Sequence, residues 1–167
     1  VYCGVTASKE AGDKLAESAK SKIAGSVIGK NDALYVAKAT IAARSFTISG
    51  EKAAAESIQA AFTKVDSAIS SLLSFWDAVY LGKQNTVDLT TMDADIAALV
   101  TDLASITPDE TLKAAHESAT KIVADLSSAV AGAKKAAGGD SSSAADGATA
   151  ILTALETYTQ ELKKLSP

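Results

Sequence analysis

A chain of 167 residues, 47% apolar and with a net charge of −4, is long enough to bury a core. It has no basic stripe to meet a phosphate backbone, so nucleic acid is not an expected partner. Its apolar runs last only a few residues, so no transmembrane segment is expected, and a single cysteine excludes an internal disulfide framework.

Much of the apolar content is alanine, aromatic residues are only 5%, and proline occurs twice. β-Branched residues never alternate over a strand's length. These features predict an all-α protein with no sheet, a single helical-bundle domain over residues 1–167.

The opening VYCGVTA is apolar and precedes the polar SKEAGDKLAE. Val5 and Ala7, at −3 and −1 before Ser8, resemble the end of a secretory signal. The alternatives are an ordinary apolar segment docked on the bundle, or a lipid-modified Cys3, which Tyr2 fits poorly. A first helix is expected from about Ser8 to Ile28, with Leu15, Ala19, Ile23 and Val27 on one face. Gly25 and Gly29 have GxxxG spacing, but without an apolar 20-mer Gly29 reads as the helix end. Asn31 or Asp32 caps a second helix to about Ile48, apolar on two faces, which Ser49-Gly50 closes.

The third helix, Glu51 to Leu81, carries Ile58, Phe62, Val65, Ile69, Leu72, Trp76 and Val79 at alternating steps of four and three. That is a heptad seam on a rod of roughly 45 Å. Gly82 is the expected C-cap. A fourth helix from Asp88 or Thr90 to Ile106 repeats the seam with Leu89, Met92, Ile96, Leu99, Leu103 and Ile106. The short loop between them predicts an antiparallel hairpin.

Thr107, Pro108 and Glu110 read as N-cap, N1 and the N3 of a capping box. The fifth helix they open runs to Ala137 on the seam Leu112, Ala115, Ala119, Ile122, Leu126, Ala129, Ala133 and Ala136. Its alanine-dominated second half predicts close approach by its neighbours. After the loop Gly138–Ser143, Ser143 caps a sixth helix with Asp146 at N3, and its seam is Ala148, Ile151, Leu155, Tyr158, Leu162 and Leu165. The sum is an elongated antiparallel bundle of about six helices with coiled-coil-like packing, monomeric or dimeric, since another chain can also complete a seam.

Chemistry is sparse. His116 opens HESAT, with Thr120 where a zinc-binding HExxH needs its second histidine, and no other histidine exists. Ser49/Lys52 and Ser118/Lys121 match SxxK, but neither SDN nor KTG follows. Asp93 and Asp95 form a DAD without the glycine of a calcium loop, and Asp93 is assigned to a helix N-terminus. No catalytic, cofactor-binding or metal-binding residue and no cofactor is predicted, so the expectation is a protein that is not an enzyme. Phe75, Trp76 and Tyr80 cluster at the end of the long helix. They read as an aromatic-filled end of the core, or as the mouth of a pocket for an apolar ligand.

The stretches SGEKAAAESIQAAF and AGAKKAAGGDSSSAADGATAI resemble the surface-coat proteins of African trypanosomes. The glutamic acid/alanine-rich protein with its variant surface glycoprotein-like core is the type in view. That resemblance implies a non-enzymatic, densely packed extracellular protein, held at the cell surface by a GPI lipid anchor beyond Pro167 and facing a host or vector surface partner. Glutamate is not abundant here, so an acidic tail would also lie beyond Pro167. The Ala/Ser/Thr style is similar to fungal cell-wall and hydrophobic-surface-binding proteins too. They imply the alternative, a secreted bundle holding a fatty acid, lipid or pigment between helices.

Overall fold

The computed structural model describes residues 8–22, 52–139 and 141–165. Among these residues the chain is helical and forms no strand: α1 Lys9–Lys22, α2 Lys52–Leu81, α3 Leu89–Ser105, α4 Lys113–Ala137 and α5 Ser141–Lys164. The N-terminal VYCGVTA, the GSVIG glycines, the expected second helix and Ser49-Gly50 lie outside the described residues.

α1 starts where Ser8 can cap it, the Ser8 Oγ accepting the Ala11 N–H at 3.2 Å. The Ser8 N–H in turn donates to Asp77 Oδ1 at 3.4 Å and ties α1 to α2. Ala11, one turn before the expected Leu15, is fully buried, and Leu15 is half-buried.

α2 buries Ile58, Phe62, Val65, Ile69, Leu72 and Trp76 as the seam predicts, but Val79 is 41% exposed. A straight helix drifts about 20° per heptad against a strict 3.5-residue repeat, so three heptads carry Val79 roughly 60° away from Ile58. Ala61, Ala68, Leu73 and Phe75 widen the buried arc beyond a two-position seam. Gly82 ends the helix at φ 63°. Its N–H donates to Val79 O at 3.2 Å and the Lys83 N–H to Ala78 O at 2.8 Å, the paired bonds of a Schellman motif.

Asp88 caps α3, accepting the Thr90 and Thr91 N–H groups at 3.0 Å each and the Thr91 hydroxyl at 2.8 Å. These bonds favour the carboxylate and hold its pKa below the ordinary value. Leu89, Met92, Ile96, Leu99 and Leu103 are buried. Asp93 is not in the first turn. It pairs with Lys134 of α4 at 2.6 Å, which corrects its assignment to the helix N-terminus.

The cap of α4 also differs from expectation. Leu112 precedes the helix and makes no side-chain cap bond; Asp109, not Thr107, accepts the free amides of the turn leading into α4, its Oδ1 taking the Thr111 and Leu112 N–H groups, both at 2.9 Å. The first four-residue bond runs from Lys113 N–H to Asp109 O at 2.9 Å. A carboxylate on two N–H groups caps better than a threonine hydroxyl two residues earlier, because it also opposes the helix dipole. Asp109→Ala should therefore cost about 1 kcal/mol in urea unfolding, and Thr107→Ala only a few tenths. Equal losses from the two variants would contradict this cap.

α4 buries Ala115, Ala119, Ile122, Leu126, Ala129 and Ala133 of its expected seam, together with Ser118, Val123 and Val130. Gly138 and Gly139 complete the turn after it, Gly139 at φ 86°. α5 begins at Ser141, so the expected Ser143 cap falls inside it. Ala148, Ile151, Leu155, Tyr158 and Leu162 are buried as the seam predicts.

α2 touches each of the other four described helices, while the most extensive contact is between α4 and α5. Contacts Ser118–Glu161, Asp125–Thr157 and Gly132–Gly147 rise along α4 as they fall along α5, so these two run in opposite directions. α3 packs more extensively on α4 than on α2. Side-chain size explains the order. Alanine and glycine line the α4–α5 contact, and large side chains such as Trp76 and Tyr158 hold α2 further from α5.

Candidate functional site

Adjacent positions on α2 bring Phe75 and Trp76 into an edge-to-face pair, ring centroids 5.2 Å apart at 78°. One turn on, Tyr80 stacks against Trp76 at 5.8 Å and 28°. The three predicted residues thus form one cluster. Phe75 and Trp76 are fully buried and Tyr80 is half-buried. Gly147 of α5 leaves space for the indole, since a Cβ there would stand 3.0 Å from Trp76 Cζ2. The Trp76 Nε1 donor is buried and has no acceptor among the described residues. The cluster can bind apolar matter or simply fill the core.

A second, polar site lies between α4 and α5. Glu161 is only 4% exposed. Its Oε2 accepts the Ser118 hydroxyl at 3.0 Å, and its Oε1 accepts Lys121 Nζ at 2.9 Å and Lys164 Nζ at 2.8 Å. The Lys164 and Lys121 bonds, with Ser118 adding to them, hold the carboxyl at about 2 even though burial opposes its charge. The same contact raises Lys121.

This arrangement joins both residues of the second SxxK match, yet in the wrong roles for nucleophilic chemistry. Lys121 is kept as an ammonium ion and cannot take a proton from Ser118. Glu161 is too weak a base at a pKa near 2 to do so instead. The cluster reads as a buried ion pair that fixes one helix on another.

Its consequence for acid stability has a definite sign. The folded pKa lies below the ordinary 4.5, so the contribution of Glu161 is fully present above that value. It is lost as pH falls from about 4.5 towards 2. Thermal melts over that range should show a decline that is shallower in Glu161→Gln, and parallel curves for the two proteins would exclude this role.

One turn before Glu161 on α5, Thr157 donates to Asp125 Oδ2 at 2.6 Å and Tyr158 to Asp66 Oδ1 at 3.3 Å. Burial, with the Asp66 charge beside it, pushes the Tyr158 phenol well above its ordinary value. His116 Nε2 lies 2.8 Å from Leu103 O, which requires N–H on that nitrogen, so it fastens the end of α3 to the start of α4. Among the described residues no group of three or more His, Cys, Asp or Glu could hold a metal ion. No described helix is long and apolar enough to cross a membrane.

Sequence reasoning misses Glu161, Gly132 and Gly147. Glu161 flanks a seam without belonging to it, and its cross-helix partners are 43 and 40 residues away. The glycines did leave a signal: each sits inside a helical pattern, where glycine costs about 1 kcal/mol against alanine and needs a packing reason.

No family model matches the chain, and no curated protein or solved structure is significantly similar to it.

Proposed function

We propose that the chain is a non-enzymatic structural protein of a cell surface. In this reading it is a coat-type antiparallel bundle of about six helices with coiled-coil-like packing. The observation that carries it is the saturation of Glu161, the one buried charged side chain among the described residues, by a serine and two lysines. Around it the described core is apolar, so polar groups do not converge on a place where a substrate could react. The alanine-rich stretches of coat-protein style add support. Labelling intact cells that express the full gene product with a membrane-impermeant amine reagent tests the location. Labelled protein is the expected result, and a product reached only after lysis overturns it.

One observation favours a second reading, a bundle that holds an apolar ligand. Trp76 Nε1 is a buried donor without an acceptor among the described residues, and buried donors in native proteins are seldom left so. A ligand oxygen near Phe75, Trp76 and Tyr80 would satisfy it. Melting curves with and without fatty acids separate the two readings, since a ligand at a hundred times its Kd adds about 2.7 kcal/mol. Trp76 is the only tryptophan, so its emission reports the same event. An unchanged melt and spectrum across the panel would leave the structural reading standing.

A further inference from the structure

The Glu161 cluster has an asymmetry that a static ion pair does not need. Lys164 sits on the same helix as Glu161, three residues on, while Ser118 and Lys121 belong to α4. Both lysines bond the same oxygen, Oε1, and their side chains are 63% and 59% exposed, against 5% for Glu161. A buried carboxylate is thus neutralised by two cations that are themselves in reach of solvent.

We infer that Ser118, Lys121, Glu161 and Lys164 form a charge-controlled latch holding the last turns of α5 on α4, in which either lysine alone keeps the latch shut. A buried carboxylate stripped of its partners is strongly destabilising. The least costly relief is local, because α5 ends at Lys164, three residues past Glu161. One turn upstream, the Tyr158–Asp66 bond to α2 marks the limit of the segment that can lift. Opening hydrates Glu161 and uncovers the buried Leu162. Lys164 moves with Glu161 and Lys121 stays on α4, where Asp125 also acts on it. The latch therefore answers to charge at the surface, although the group it serves is inside.

Amide hydrogen exchange on the whole chain tests this in four variants: Lys121→Ala, Lys164→Ala, both together, and both together with Glu161→Gln. Each single variant should leave exchange at residues 159–165 within about threefold of the parent, and the double should raise it by about tenfold or more. Adding Glu161→Gln should return it to within about threefold, because the uncompensated charge is gone. Lysines acting through the packing of their aliphatic stems would not be rescued by that change, so failure of rescue overturns the latch. So does a rise in the double variant that spreads equally over α2 and α3, since the cluster would then hold the whole bundle. A single variant as open as the double also overturns it.

Discussion

Gly147→Ala is expected to lower the melting temperature, even though alanine is the better helix former. A Cβ on Gly147 would stand 2.9 Å from both Gly132 C and Gly132 O, and a Cβ on Gly132 would stand 2.6 Å from Gly147 Cα. Those neighbours are backbone atoms, so no rotamer change relieves the contact and the helices themselves must part. Helix propensity alone would stabilise by about 1 kcal/mol. Overpacking of a filled core costs about 1–3 kcal/mol and sometimes more. Separating α4 from α5 disturbs the closest interface in the fold and pushes on Trp76, so the steric cost should win. A net loss of about 2 kcal/mol corresponds to a fall of roughly 4–8 °C in a chain of this size. Gly132→Ala should act in the same direction. The double variant should cost less than the sum, because one separation accommodates both methyl groups. A melting temperature that rises in either single variant would refute the crossing.

The second large effect is at Trp76. Trp76→Ala should cost about 3–5 kcal/mol, because it removes a fully buried indole and abandons contacts with Phe75, Tyr80 and Gly147. Trp76→Phe should retain more than half of that stability. It keeps an aromatic ring in the site and sacrifices an N–H that has no acceptor among the described residues. Urea unfolding followed by circular dichroism is the suitable measurement, since both substitutions remove the only tryptophan. If phenylalanine proves as costly as alanine, the indole N–H has a partner that matters to the fold.

How far the sequence is legible can be argued from these same residues. The seams on α2 through α5 were readable because burial repeats along a helix at a period that single side chains reveal. Val79 escaped because a seven-residue rule ignores the drift of an untwisted helix. Asp109 escaped because Thr-Pro matches a common start signal, and the stronger acceptor two residues on becomes decisive only once the chain direction is set. The aromatic trio was legible as a cluster because its members lie one turn apart on one helix. Glu161 was not, since its environment is assembled from two helices and a polar residue beside a seam is ordinarily solvated. The Gly132–Gly147 crossing falls between these cases. Alanines in α4 announced a close neighbour, but the point of closest approach depends on the register of α5, which no local pattern encodes.

The short connection between α4 and α5, which carries Gly138 and Gly139, bears on how the chain reaches this state. With α4 ending at Ala137 and α5 beginning at Ser141, few residues join the two helices of the most extensive interface in the described fold, so the entropy lost in forming that contact is small. By contrast, α2 must meet Tyr158 from 92 residues away. Local, tightly packed contacts of this kind form early in folding. The α4–α5 hairpin is therefore the natural nucleus, and the aromatic face of α2 should consolidate on it afterwards. Substitutions at Gly132 and Gly147 should then slow folding, while those at Trp76 should mainly hasten unfolding.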